Sequence, residues 1–211
     1  MTEQPRRPEP PTAGSEREQL NGFLDFLRAT VVWKCAGLTD EQARKSHVPS
    51  KLTTIAGLLA HLRFVEEYWF SIVLDGQEDR WKEVLAEDPD AEFRSALDAP
   101  LERLLAEYEA QCRLSREVTA ELDLEAELPF RNRTINPRYV LVHMIEETAR
   151  HAGHLDLLRE LTDGREGGVT PAPGVVPVGS RHGPIRKPLR CESSSCTPTE
   201  NVTAPVAAWP P

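Results

Sequence analysis

Apolar residues recur near a 3.6-residue period in four separate stretches of this chain, which predicts four long helices. The first runs from about Glu16 to Ala36, where Leu20, Phe23, Leu24, Leu27, Val31 and Trp33 carry the period. "GLTDEQ" follows, with Thr39 placed to cap a short helical turn and Gln42 at the third position to close a capping box. The second helix spans about Thr53 to Leu74 and stops at Asp75-Gly76. The third spans about Ala99 to Glu121, with Leu101, Leu104, Leu105, Tyr108, Cys112 and Val118 on its apolar side. Trp81 and "EDPDAEF" read as a connecting segment, and "LPFRNRTINP" as a loop with one short strand-like piece at Leu128–Arg131. Asn136 then caps the fourth helix and Pro137 fits its first turn. Four long helices in one domain predict an all-α fold, an antiparallel four-helix bundle.

The fourth helix carries the unusual chemistry. In "HMIEETARHAGHLDLLREL", turned at about 100° per residue, Val140, Met144, Leu155, Leu158 and Leu161 share an arc of roughly 120°. His143, Glu147, His151 and His154 fall in the same arc, whereas Glu146, Arg150, Asp156, Arg159 and Glu160 fall on the solvated side. An ionised group on a buried side costs several kcal/mol unless it is paired or holds a metal, so these residues demand a partner. On the second helix His61 sits near the centre of the apolar arc, beside Thr54, Val65, Tyr68 and Ile72.

A lone core histidine is more often a hydrogen-bonded packing residue than a ligand. Glu147 and His151, however, stand four apart, a spacing that stacks both side chains on one helix face and suits two bonds to one ion. Bundles bring such ligands together from facing helices. His61, Glu147 and His151 thus form a candidate three-ligand metal site with positions left for water or substrate. His143, His154 and Tyr68 are assigned to supporting or pocket roles. The competing reading is a His–Glu hydrogen-bonded network without an ion, or a Glu147 paired with Arg131 or Arg133.

"GLLAHLRFVEEYWF", "VLVHMIEETARHAGHLDLLRE" and "FLDFLRATVVWKCAGLTDEQ" together resemble the DinB-like superfamily, and within it the mini-circle protein type, over about residues 15 to 164. In that superfamily a helix-two histidine matches His61, and a late pair, usually His and His followed by Gly-Gln, matches Glu147 and His151. Glu at the first late position resembles the mycothiol-dependent maleylpyruvate isomerase branch, and His154 stands where the family more often has Gln after Gly153. The resemblance implies a bundle, often a homodimer, binding a divalent metal such as zinc or nickel. It also implies mycothiol or a similar low-molecular-weight thiol as a small-molecule substrate. Thiol transfer or isomerisation at the metal is one expectation. A metal-dependent hydrolase uses the same ligands, and a non-catalytic stress or interaction protein stabilised by its metal is the alternative outside enzymology.

Composition narrows the partners. The net charge is −9, which disfavours nucleic acid or an anionic membrane as a bulk partner. No apolar run approaches the roughly 18 residues of a membrane span, and the Pro-rich opening lacks the apolar region of a secretory signal. Residues 1–15 read as a disordered lead, 16–164 as the bundle and 165–211 as a disordered tail holding nine of the 18 prolines. Five Arg/Lys against three Asp/Glu give that tail +2, leaving −11 for the rest. Scattered cysteines make no disulfide framework and point to a reducing cytoplasm, with Cys35 and Cys112 as packing residues. "CESSSC" beside His182 lacks the second pair of a zinc site, and "NVT" at Asn201 has no meaning as a glycosylation acceptor without secretion.

Overall fold

The computed structural model describes residues 7–165. The readings of residues 1–6 and 166–211, including "CESSSC", His182 and Asn201, lie outside the described residues. The four long helices form: α1 (Glu16–Cys35), α3 (Ile55–Glu66), α6 (Leu101–Ala120) and α7 (Pro137–Asp163). Helix α1 packs on α7, and α3 packs on both α6 and α7. The shorter α2 (Asp40–Arg44), α4 (Lys82–Glu87) and α5 (Ala91–Arg94) fill the connections. No helix among the described residues is long and apolar enough to cross a membrane.

Local chemistry sets the helix ends. Ser15 and Glu18 close a capping box on α1, and Thr39 and Gln42 close the expected one on α2. Asn136 accepts the Tyr139 N–H at 2.9 Å ahead of Pro137. Thr54 caps α3 through the Gly57 N–H, and a Cβ on Gly57 would fall 2.3 Å from the Leu52 carbonyl oxygen. Gly164, at φ +71°, ends α7 in the left-handed conformation that favours glycine.

Four features depart from the sequence reading. The second helix changes at Glu67 into a π-helical stretch, Glu67–Leu74, where apolar residues on every side had concealed the change of pitch. The segment after Trp81 contains α4 and α5, each too short to display a period. The loop before α7 is a hairpin: β1 (Leu128–Phe130) pairs antiparallel with β2 (Arg133–Ile135), and Arg131 takes positive φ between them. Residues 7–15, read as part of the lead, run as a non-helical segment against α1. There the Arg7 guanidinium lies 4.6 Å from the Trp33 ring centroid, and Pro11 seats on Gly22.

Two apolar clusters make the core. One joins Val31, Leu59, Leu62, Leu104 and Leu155, and the other joins Leu24, Phe70, Phe130, Leu141 and Met144. Each buried aliphatic side chain contributes about 1.5–3 kcal/mol. Along α1 and α3, Arg28 and Glu66 fall between these clusters. Arg28 donates through Nε and Nη2 to the two Glu66 oxygens at 2.7 and 2.6 Å, and through Nη1 to Asp25 at 3.0 Å. Glu66 is 1% exposed and Arg28 4%. Charges this deep persist because each neutralises the other. Arg159, read as solvated, is also buried; its Nη1 donates to the Lys34 and Ala36 carbonyls and so ties the end of α1 to α7. Phe23 and Leu161, read as core, are half exposed or more.

Glu66→Ala should destabilise the fold by about 3 kcal/mol in urea unfolding, because it leaves a buried guanidinium with only Asp25. Arg28→Met combined with Glu66→Leu should recover most of that loss. A single-variant loss under about 1 kcal/mol would show that the pair is not the buried charge described here.

Candidate metal centre

Placement on α3 and α7 decides what the titratable residues can meet. On α7 the buried arc includes Leu141, Thr148, Ala152 and Arg159 as well as Val140, Met144 and Leu155. That moves its centre by roughly 60° from the arc expected from the aliphatic residues alone. Glu147 and His151 are therefore at the margin of the core, with side chains 17% and 13% exposed. His61 is displaced in the same sense: Leu58, Leu59, Leu62 and Glu66 occupy the deepest side of α3, and the His61 side chain is 16% exposed. Where α3 and α7 meet, these two margins face each other.

The three side chains converge. Glu147 Oε1 lies 3.2 Å from His61 Nε2 and 3.1 Å from His151 Nε2, and one ligand atom from each residue fits within 4.8 Å of the others. A tetrahedral ion bound at about 2.0–2.1 Å would separate its ligands by about 3.3 Å, so the donor set fits a divalent ion in both chemistry and spacing. Arg131 and Arg133 do not take Glu147; their guanidinium groups lie over Phe130. Hydrogen bonds from His151 and His61 hold the Glu147 carboxyl well below the usual carboxylate range, against the opposing effect of burial. Burial opposes the charged form of His61, yet hydrogen bonding to Glu147 and Glu92 outweighs it and raises its pKa.

The neighbours differ from one histidine to the next. His154 is exposed, and its Nδ1 sits 3.3 Å from His151 Nδ1. Burial, with His151 and Arg150 nearby, lowers the His154 pKa. His143 stays one turn away from the cluster, stacked on Tyr139 and edge-on to Trp69 with centroids 4.8 Å apart. Tyr68 packs on Phe64 and Trp69, so it supports that aromatic wall rather than touching the three ligand atoms. Sequence reasoning missed Glu92 and Phe93 on α5. Phe93 stacks on the His61 ring, with centroids 4.7 Å apart and planes 8° from parallel. The buried Glu92 places Oε1 3.5 Å from His61 Nδ1. Their one signal was the Glu-Phe pair in "EDPDAEF", with nothing in its spacing to link it to His61.

A helical bundle presenting a His/Glu/His cluster between two of its long helices defines a candidate metalloprotein of the DinB-like kind. The family model for mycothiol-S-transferases matches residues 19–164, and the chain belongs to that family. No curated protein and no solved structure matches it.

His151→Ala should abolish stoichiometric zinc in purified protein and leave helix content intact, since the aliphatic core is untouched. His143→Ala should keep its zinc. Elemental analysis beside far-UV circular dichroism checks both, and equal zinc loss in the two variants would contradict the assignment of ligands.

Proposed function

We propose that the chain is a metal-dependent S-transferase in which His61, Glu147 and His151 hold one divalent ion, zinc or nickel, and mycothiol is the thiol substrate. The observation that carries the reading is the single Glu147 oxygen shared by two imidazole Nε2 atoms, in a chain of the mycothiol-S-transferase family. When bound, such an ion favours the thiolate form of a thiol near neutral pH, which is the nucleophilic form.

The protein's own residues do the rest. Glu147 and His151 belong to one helix and His61 to another, so the packing of α3 on α7 fixes the donor set before any ligand arrives. His154, exposed at the rim beside His151, is placed to take the proton that the thiol releases. The thiolate sulfur then bonds to an electrophilic carbon, and the leaving group departs with its electron pair. Trp69, Tyr139 and His143 form an aromatic wall one turn of α7 away, suited to shielding an apolar or planar electrophile from water.

Cobalt(II)-substituted protein titrated with mycothiol should develop a sulfur-to-cobalt absorption band that saturates at one thiol per chain. The same titration of His151→Ala should give no band. A wild-type spectrum unchanged at saturating mycothiol would contradict the proposal.

A further inference from the structure

The two imidazoles that face Glu147 are held differently on their far sides. His151 Nδ1 meets another imidazole, that of the exposed His154. His61 Nδ1 meets a carboxylate, Glu92 Oε1, at 3.5 Å, and the residue carrying that carboxylate is only 5% exposed. A carboxylate this deep normally sits against arginine or lysine, as Glu66 does against Arg28. Among the described residues the Glu92 carboxylate has no cation of that kind. Its Oε2 is buried without a hydrogen-bond partner, and so is His61 Nδ1. The other carboxylate oxygen, Oε1, faces His61 Nδ1 at 3.5 Å, the outer edge of hydrogen bonding. Phe93, the next residue, lies flat against the same imidazole.

We propose that Glu92 is the positioning residue for His61: it accepts the Nδ1–H when Nε2 gives its lone pair to an ion beside Glu147, and so holds the ring in the ligating orientation. The inference rests on the metal-site reading above for its functional meaning, but its geometry stands without an ion. A neutral imidazole carries its proton on one nitrogen only, and the hydrogen bond made by the other nitrogen selects which. With Nε2 given to an ion the proton would belong at Nδ1, where the Glu92 carboxylate is placed to accept it. The carboxylate also makes Nε2 more basic, hence a better ligand. Phe93 adds the second constraint, since a ring held face-on cannot turn out of its plane. Helix α5 thus grips one imidazole by an edge and a face, which accounts for the docking of so short a helix against α3.

The test uses Glu92→Leu, which removes the acceptor while filling its volume, with Glu92→Gln as the conservative companion that keeps an acceptor without charge. In zinc-loaded full-length protein, proton–nitrogen spectra of labelled histidine report the Nδ1–H of His61, assigned by its correlations to the His61 backbone. Wild type should show that Nδ1–H shifted downfield and slow to exchange because of its hydrogen bond, and Glu92→Leu should move it upfield and speed its exchange. Zinc affinity, measured by competition with a chromogenic chelator, should fall about 10–100-fold in Glu92→Leu. Glu92→Gln should lie between it and wild type. A fall in affinity from lost packing elsewhere would leave the Nδ1–H resonance in place. Should Glu92→Leu fail to fold, Glu92→Gln decides on the same two readouts. An unchanged Nδ1–H resonance and unchanged zinc affinity in the folded variant overturn the inference. A wild-type protein that takes up no zinc would instead overturn the metal reading, and the inference with it.

Discussion

Charge removed from water has to be answered by charge or by hydrogen bonds, and the interior of this bundle is arranged around that requirement. Arg28 meets Glu66 with two hydrogen bonds between the apolar clusters. Lys34 meets Asp156, and Arg159 meets both Asp163 and the carbonyls at the end of α1. At the junction of α3 and α7 the same accounting comes out differently. Two carboxylates, Glu92 and Glu147, face imidazoles rather than guanidinium or ammonium groups. On the metal-site proposal, the cation answering these carboxylates would sit between the Nε2 atoms of His61 and His151.

Location at the core's margin then gives the cluster its use. A site built into the deepest arc would be dry and closed, and a site on the outer face would be screened by water and hold its side chains loosely. His61, Glu147 and His151 are each between 13% and 17% exposed, so packing orients them while one side remains reachable. The π-helical stretch that follows α3 brings Trp69 against His143 and Phe130, building an aromatic flank beside the reachable side. An open ligand position with an apolar wall is what transfer of a thiol to an electrophile requires.

Much of this was legible in the sequence. Periodicity located the four long helices, Asn136 located the start of α7 and Thr39 that of the short α2, and the i, i+4 pair Glu147–His151 with His61 named the cluster. What escaped it followed from physics that periodicity does not encode. The wheel of α7 counted Arg159 as solvated because a charge is normally exposed, yet its aliphatic stem and its carbonyl partners carry it inside. That same bias rotated the inferred core towards His143 and Leu161, and made Glu147 and His151 look more deeply buried than they are. Helix α5, four residues long, has no period to detect, so Glu92 and Phe93 could be joined to His61 only in three dimensions. The change to π-helical pitch at Glu67 was hidden by an apolar run that reads alike at either pitch.

The central claim is that one ion joins α3 to α7 through three named atoms. A crystal of the zinc-loaded protein, with anomalous scattering recorded on both sides of the zinc edge, tests it directly. The account predicts a single strong peak within about 2.0–2.2 Å of His61 Nε2, Glu147 Oε1 and His151 Nε2. A peak elsewhere on the chain, or zinc held by His151 and His154 with His61 turned away, would contradict it.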